Sequence, residues 1–351
     1  MKKAILLLLL LILFISCKSN QNPSQHFITS IKIDTILKDK ISIRPITVAS
    51  DKIWYAGDKN RIGYISLVAT DKIETVVKKD SLKLEFRSIA QTSTSIFVLN
   101  IGNPALLYRF SKDLLEKKIV YEEKNEKVFY DSMQFWNDKE GIAIGDPLDN
   151  CLSIIITRNG GTTWNKIPCD KLPNIEDGEA AFAASNTNVV VKGTKTWVVS
   201  GGKKSRVFYS PDKGNSWEVI ETPIVQGGAM TGIFTADFYD ENIGFIAGGN
   251  FELKNQNSQN KALTIDGGKT WKLVGENNGF GYASCIQFIP NSYGNELVCV
   301  GGTGIFYSND RGNSWKQLST DTSLFTIRFI DNTTAIAAGK DKIIKISFVR
   351  N

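Results

Sequence analysis

One eight-residue pattern recurs four times between residues 157 and 315, and it constrains the fold of this chain more than any other feature. Each copy reads Ser or Thr, any residue, Asp or Asn, any residue, Gly, any residue, Ser or Thr, and finally Trp. The closing tryptophans are separated by 53, 54 and 44 residues, and such a repeat indicates similar supersecondary units packed side by side. Its defining positions are Asn159, Gly161, Trp164, Asp212, Gly214, Trp217, Asp266, Gly268, Trp271, Asp310, Gly312 and Trp315.

Turn chemistry accounts for every position of this pattern. Each copy lies between two runs of strand-forming residues, such as 152–156 and 164–167 around the first copy, which predicts a hairpin turn. The Asp or Asn accepts hydrogen bonds from turn N–H groups, the Gly adopts a positive φ, and the Trp packs between sheets. The pattern resembles the Asp-box, or BNR repeat, of sialidase-like β-propellers. We therefore interpret these residues as structural and expect no metal site.

Degenerate copies of the same unit extend the repeat over most of the chain. A last unit, at residues 325–349, has only three strand-like runs and would leave an exposed sheet edge, which β proteins avoid. Residues 28–37 are able to supply its missing outer strand. The sequence therefore predicts an all-β, seven-bladed propeller of four-stranded antiparallel blades, with the last blade closed by the N-terminal strand. The six earlier units are predicted at residues 42–77, 84–121, 128–167, 178–220, 231–274 and 282–318.

The start of the chain has the form of an export signal. Lys2 and Lys3 precede an apolar run at residues 4–15, which is shorter than a membrane span requires. Ser16 and Cys17 follow this run and resemble a bacterial lipobox, so Cys17 is predicted to become an acylated N-terminus. An ordinary leader with an incidental cysteine is the alternative.

This start divides the chain into three parts. Residues 1–16 are predicted to be the lipoprotein signal peptide, residues 17–27 a lipidated polar tether, and residues 28–351 the propeller. The protein would then be exported and anchored by membrane lipid in the bacterial cell envelope. Because no acidic run follows Cys17, we expect it to face the periplasm.

Composition narrows the possible functions. Loss of Lys2 and Lys3 with the leader changes the formal net charge from +6 to +4, too little to predict nucleic-acid binding. His26 is the only histidine and lies in the tether, so histidine-based catalysis has no candidate within the propeller. No Gly-rich phosphate loop opens a helix. We expect no cofactor and a monomeric protein.

Four further cysteines form two pairs, and the members of each pair lie at equal distances from a predicted turn. Cys151 and Cys169 are placed symmetrically about the first Asp-box turn, and Cys285 and Cys299 about a turn near residue 292. Both pairs are predicted to face each other across antiparallel strands. An oxidising compartment would permit disulfides, and buried free thiols are the alternative.

A group of charged and aromatic residues is predicted at the mouth of the propeller channel. In a propeller the first strand of each blade lines the channel, and the starting ends of these strands open on one face. Guanidinium groups suit the capture of carboxylate or phosphate, although these residues could instead pair with one another and hold the blades in register. The candidates are Arg44, Arg87, Asp131, Glu179, Tyr282 and Arg328.

Longer stretches also resemble one family. The resemblance is to bacterial envelope proteins related to the photosystem II assembly/stability factor, and it covers nearly all of the predicted mature chain. It implies a chaperone-like propeller that binds membrane-protein subunits, with an arginine patch on one face. Relatives are often labelled "oxidoreductase". The stretches are FRSI from Phe86, IGNPALLY from Ile101, FYDSMQFWNDKEGIAIGDP from Phe129, GEAAFAASNT from Gly178, RVFYSPDKGNSW from Arg206, TPIVQGGAMTGIF from Thr222 and ALTIDGGKTW from Ala262.

Three functions are compatible with these features. The leading one is a non-catalytic scaffold of the cell envelope that engages a protein client or an anionic ligand at the channel mouth. The first alternative is a sialidase-like glycoside hydrolase using Tyr282, Glu179 and Asp131 with an arginine cluster. Against it, the sialidase Phe/Tyr-Arg-Ile-Pro motif is missing, and sialidases have six blades. The second alternative is an oxidoreductase, which would need a bound chromophore.

Overall fold

The computed structural model describes residues 27–49, 51–69 and 71–351. The predicted leader, Cys17 and His26 therefore lie outside the described residues, as does most of the tether. Every regular element that is described is a β-strand, except for one 3-10 turn at Cys169–Lys171. Within these same ranges there is no helix with the length and apolarity to cross a membrane.

Seven sheets form seven blades, in which consecutive strands pair antiparallel, as predicted. Blade 1 consists of Ile46–Ala49, Lys52–Ala56, Arg61–Ser66 and Lys72–Val76. Blade 2 consists of Phe86–Gln91, Ser95–Asn100, Ala105–Ser111 and Lys117–Glu123. Blade 3 consists of Tyr130–Phe135, Gly141–Gly145, Ser153–Thr157 and Asn165–Lys166.

The next three blades follow the same order. Blade 4 consists of Val189–Lys192, Lys195–Val199, Arg206–Ser210 and Glu218–Glu221. Blade 5 consists of Thr231–Phe238, Gly244–Asn250, Lys261–Thr264 and Lys272–Leu273, and its sheet is extended by the short strands Gly201–Gly202 and Glu179–Ala180. Blade 6 consists of Ala283–Phe288, Leu297–Gly301, Gly304–Ser308 and Lys316–Ser319.

Blade 7 takes its strands from both ends of the propeller. Leu324–Phe329 pairs with the first half of Thr334–Arg350, and Ile28–Ser42 pairs with the second half. Thr334–Arg350 is a hairpin rather than one straight strand, because the Phe348 N–H donates to the Thr333 carbonyl oxygen at 2.8 Å. Blade 7 therefore has four strands, and the prediction that the N-terminal strand completes it is confirmed.

Apolar side chains pack between neighbouring blades around the whole ring. In the described part of the chain, each of the seven blade-to-blade boundaries has its own buried cluster. The cluster between blades 7 and 1 contains Ile41 from the N-terminal strand, Ile53 from blade 1 and Ile343 from blade 7. The N-terminal strand thus closes the ring by packing as well as by backbone pairing.

The Asp-box turns are held by their own side chains. In the second box, the Ser216 N–H and hydroxyl donate to the Asp212 carboxylate at 2.8 and 2.7 Å, and the Gly214 N–H donates to the Ser210 hydroxyl at 2.7 Å. Gly214 has a φ of 81°, which favours glycine. Partial burial raises the pKa of Asp212, but the bonds from Ser216 and Ser210 outweigh it and leave that pKa below its ordinary value. Corresponding side-chain bonds form at Asn159, Asp266 and Asp310.

Each Asp-box tryptophan packs towards the preceding blade. The Trp164 ring of blade 3 lies 6.2 Å from the Phe97 ring of blade 2, and the Trp315 ring of blade 6 lies 6.0 Å from the Phe245 ring of blade 5. Gly312 comes so close to the same Phe245 ring that an added Cβ would lie 2.5 Å from it. The box therefore joins a turn of one blade to the core of its neighbour.

The two cysteine pairs have different outcomes. A disulfide joins Cys151 to Cys169, whose Cα atoms are 5.6 Å apart. The predicted facing arrangement of Cys285 and Cys299 is wrong, and both are buried free thiols. A register shift after Ala283 places Cys299 opposite Ile286, so the two thiols point to opposite sides of blade 6 and pack in different clusters.

The bonds within the second Asp-box generate a first prediction. Asp212→Ala should lower the free energy of unfolding by about 1–2 kcal/mol, because the turn N–H groups lose their acceptor. Since the folded-state pKa of Asp212 is lowered, this stabilisation is present above an unfolded pKa of about 4 and is lost as the pH falls through the folded value. Urea unfolding near pH 7 and at lower pH measures both effects. Asp177→Ala, at an exposed carboxylate outside the boxes, is the control, and an equal loss there would contradict the assignment.

Candidate functional site

The first strand of each blade lines the axis, and neighbouring first strands run in the same direction. The Ile286 N–H donates to the Thr235 hydroxyl at 3.0 Å, and the Phe288 N–H donates to the Asp237 carboxylate at 2.7 Å. From the first bond to the second, the residue number increases by two on both strands, as it does between parallel strands. We call the face where the first strands begin the front face, and the face where they end the back face.

Residues 184–188, which we call the plug, fill the axis of the propeller. They precede the first strand of blade 4 and are buried throughout. The Ser185 hydroxyl donates to the Ser284 carbonyl oxygen in blade 6 at 2.6 Å, and the Asn186 amide donates to the Ile89 carbonyl oxygen in blade 2 at 2.8 Å. Because blades 2 and 6 lie on opposite sides of the ring, the plug crosses the axis and separates the two faces.

Four of the six predicted mouth residues come together at the front face. Arg87 and Asp131 are the second residues of their first strands, and Arg44 and Tyr282 lie just before theirs. The two arginines interact electrostatically with the other two residues. The charges of Arg44 and Arg87 both act to lower the pKa of Tyr282, and the charge of Arg87 acts to lower the pKa of Asp131. The front face is therefore the candidate site.

Arg328 lies at the back face instead. It is the fifth residue of Leu324–Phe329, not the first, so its side chain reaches the plug from the other end. Its guanidinium donates to the carbonyl oxygens of Ser185 and Asn186 at 3.0 and 3.4 Å. The prediction that Arg328 joins the other two arginines is wrong, because Arg328 lies near the end of the first strand of blade 7 and not at its start.

Glu179 is not a mouth residue either, which corrects the prediction for blade 4. It lies in Glu179–Ala180, which pairs with Gly201–Gly202, while the first strand of blade 4 is Val189–Lys192. Its buried carboxylate accepts a hydrogen bond from Arg206 Nε at 3.1 Å and forms an ion pair with the same guanidinium. A buried carboxylate needs such a partner. Blade 4 begins later than predicted because the plug occupies the preceding residues.

Two arginines give the front face its positive charge. One terminal nitrogen of Arg44 donates to the Ala184 carbonyl oxygen of the plug at 3.1 Å, and its guanidinium lies 4.4 Å from the centre of the Phe325 ring. Arg87 Nε donates to Glu85 at 2.7 Å. Burial and the nearby charge of Arg87 lower the pKa of Arg44. Both guanidinium groups are thus held in place with part of their donor capacity uncommitted.

Two carboxyl groups lie below these arginines. Asp131 is completely buried, and neither of its oxygens makes a well-formed hydrogen bond within the described residues. Burial and the neighbouring Asp146 raise the pKa of Asp131 well above its ordinary value, against the opposing effect of Arg87. Burial also raises the pKa of Asp146 to about 6, although its carboxylate accepts a bond from the Ala181 N–H at 2.9 Å. The pair therefore retains protons at a pH where most carboxyl groups have lost them.

Aromatic rings form the rest of the front face. Phe182 stacks on Phe234 with ring centres 4.0 Å apart, and Tyr282 meets Phe234 and Phe251 edge-on at 4.8 and 5.1 Å. Phe251 is 36% exposed, and Lys254 Nζ lies 4.9 Å from the centre of its ring. The backbone of Lys254 accepts a bond from the Tyr282 N–H at 2.8 Å, which fixes this loop on the front face.

This geometry does not assemble the sialidase-like set. Glu179 is committed to Arg206 and does not lie beside Tyr282. Burial raises the pKa of Tyr282 to about 12, which disfavours the ionised form. Asp131 has no exposed surface through which a substrate could reach it. The front face is therefore better suited to binding than to glycoside hydrolysis.

Sequence reasoning missed three front-face residues. Phe251 and Lys254 lie in the mainly polar stretch 250–260, although its aromatic and basic residues were a usable signal. Asp146 follows the strand Gly141–Gly145 and lies beside Asp131 only because the two strands pair. No local pattern in the sequence marks that contact.

Comparisons with known proteins identify the fold. No protein-family model matches the sequence, and no curated protein does either. A solved structure described as "YCF48 bound to D1 peptide" is 13% identical, with a TM-score of 0.65 over 93% of this chain and 98% of that one. YCF48 from Cyanidioschyzon merolae is 12% identical, with a TM-score of 0.66 over 91% and 99%.

A glycoside hydrolase has the same fold. The GH74 xyloglucanase from Xanthomonas campestris is 10% identical, with a TM-score of 0.64 over 89% of this chain and 53% of that one. At these identities the similarity establishes the architecture alone. The chain is thus a seven-bladed β-propeller like YCF48.

The paired carboxyl groups generate a second prediction. A carboxyl group whose folded pKa is raised destabilises the folded state as the pH rises from its unfolded pKa of about 4 towards its folded value. Asp131→Asn removes this effect, so the variant should gain stability relative to the unmodified protein between about pH 4 and pH 7. Because only one proton is involved, the gain in the free energy of unfolding cannot exceed about 1.4 kcal/mol for each pH unit. Thermal or urea unfolding across this range measures it, with Asp177→Asn as the control. A pH-independent difference would show that Asp131 is not protonated in the folded protein.

Proposed function

We propose that this protein is a non-catalytic scaffold of the cell envelope that holds a polypeptide client across its front face. The observation that carries the proposal is the combination of fixed guanidinium groups and aromatic rings directly above a plugged axis. Because the plug blocks the way through the ring, a partner must lie across the face. A broad surface of this kind suits a segment of protein better than a small substrate.

The chemistry of the front face indicates what such a client presents. The second terminal nitrogen of Arg44 and both terminal nitrogens of Arg87 make no hydrogen bond within the described residues. Guanidinium groups bind carboxylates through two parallel N–H donors. Phe251 adds partly exposed apolar surface with little rotational freedom, and the buried Tyr282 ring packs against it edge-on. We infer a client segment with acidic side chains, or a terminal carboxylate, next to apolar or aromatic residues.

The comparison with YCF48 supports a peptide client. That protein has been solved with a D1 peptide, and its propeller superimposes on nearly the whole of this chain. At 13% identity, the comparison supports a shared fold but does not indicate that this chain binds the same peptide. The client of this chain is therefore proposed from the side chains of its own front face.

The envelope location rests on the start of the sequence and on one disulfide. The predicted leader and Cys17 would place the propeller on a membrane surface, tethered by residues 17–27. The Cys151–Cys169 disulfide supports an exported protein, since such bonds persist in oxidising compartments. A monomer with a single lipid anchor would leave the front face free to meet a client.

The client surface gives a third prediction. Arg44→Gln with Arg87→Gln should reduce capture of the client from envelope extract by about tenfold or more, because buried charge-assisted bonds contribute about 1.5–3 kcal/mol each. Crosslinking followed by quantitative mass spectrometry measures the recovered proteins.

A matched control removes the same charge from the back face. Arg158→Gln with Arg311→Gln changes two arginines of the Asp-box turns, and it should leave capture unchanged. If the front-face variant recovers the same partners in the same amounts as the unmodified protein, the front face is not the client surface.

The anchor gives a fourth prediction. Cys17→Ser should abolish acylation, so the protein should move from the membrane fraction to the soluble fraction, because the polar tether alone gives little membrane affinity. Mass spectrometry of the N-terminus and cell fractionation measure the two effects. Ser16→Ala is the control, since a small residue before the cysteine is retained. An unacylated native protein, or a Cys17→Ser variant that stays fully membrane-bound, would contradict the anchor.

A further inference from the structure

A separate cavity opens on the back face, on the other side of the plug from the proposed client surface. Its volume is about 500 Å³, which lies within the range of about 300–1,000 Å³ for small-ligand sites, and it lies where the first strands of blades 4 to 7 end. Lys192, Asp237, Gln287 and Arg328 line it, one from each of these four blades. Four different strands therefore direct polar side chains into one space.

The charged residues that line this cavity are two cations, Lys192 and Arg328, and one carboxylate, Asp237, so positive charge is in excess. The Asp237 carboxylate accepts bonds from the Phe238 and Phe288 N–H groups at 2.9 and 2.7 Å, so its oxygens are already engaged. Lys192 makes no hydrogen bond or ion pair within the described residues, although its charge reaches Asp237. Two cations thus face one carboxylate, each of whose oxygens already accepts one backbone bond, and the excess positive charge favours an anionic ligand.

Arg328 supplies a fixed charge at the floor of the cavity. One of its terminal nitrogens donates to the plug carbonyl oxygens of Ser185 and Asn186, and the other donates to the Ile327 carbonyl oxygen at 2.8 Å and the Thr326 hydroxyl at 3.0 Å. With these donors occupied, Arg328 contributes its charge rather than a free fork of donors. Lys192 is then the group that is able to contact an anion directly.

The remaining lining residues describe the body of the ligand. The side-chain amides of Gln287 and Asn291 make no hydrogen bond within the described residues, so they are available to a polar group. Phe329 and Pro290 are partly exposed and form an apolar wall. A cavity with one mobile cation, two amides and an apolar wall matches a molecule that carries a carboxylate, a hydrogen-bonding group and a small apolar portion.

We propose that this back-face cavity binds a small organic acid, with its carboxylate on Lys192, its polar group on Gln287 and Asn291, and its apolar portion against Phe329. The site is independent of the client surface, because the plug lies between them. Either the back-face site or the client surface could be absent without affecting the other, and the two are tested by different experiments.

The test measures binding of four carboxylic acids to the purified protein: hippurate, phenylacetate, N-acetylglycine and glutarate. Side-chain amide signals of Gln287 and Asn291 in NMR spectra report occupancy of the cavity. We expect at least one acid to shift both signals saturably, with a Kd of about 1 mM or tighter. Its methyl ester should bind at least about tenfold more weakly, since it lacks the charge that Lys192 recognises.

Variants assign the binding to this cavity. Lys192→Met keeps the aliphatic stem and should weaken binding of the acid by about tenfold or more. Lys272→Met makes the same change at an exposed position on the outer strand of blade 5 and should leave binding unchanged. The proposal is overturned if none of the acids shifts the two amide signals, if the ester binds as well as the acid, or if Lys192→Met binds as well as the unmodified protein.

Discussion

Closure of the ring is the constraint on which the rest of the structure depends. The chain would end in a blade with an unpaired edge if Ile28–Ser42 did not pair with the last hairpin. This pairing supplies backbone hydrogen bonds, and Leu37 and Ile41 bury apolar surface against blades 7 and 1. Each blade packs against two neighbours, so the loss of one boundary would expose apolar surface on both sides of the break.

The closed ring makes the plug possible and gives the two faces their separate chemistry. Seven blades leave an axial space that the plug fills, and the Ser185 and Asn186 side chains of the plug donate to strands on opposite sides of the ring. Buried polar groups are tolerated when they are satisfied in this way. The plug then divides one predicted mouth into two surfaces, with Arg44 and Arg87 at the front and Arg328 at the back.

The sequence predicted the blade number and the Asp-box turns because both depend on short-range chemistry. Each box bonds within about five residues, so its pattern survives in any tertiary context. The predicted mouth was only partly right. Its residues were assigned by counting from the expected start of each strand, and a displacement of a few residues moved Arg328 to the other face and removed Glu179 from the axis. The Cys285–Cys299 prediction failed for the same reason, since one register shift reverses the side that a side chain faces.

The sequence by itself therefore determined the architecture: an all-β ring of repeated blades, closed by the N-terminal strand. Only the tertiary structure decided which side chains share a surface. Asn186 contacts Ile89 across 97 residues of chain, and Asp131 meets Asp146 through strand pairing. Such contacts follow from the register of each strand and from the path of the plug. Neither leaves a periodic mark in the sequence, because the energy that selects them comes from packing and hydrogen bonding between distant segments.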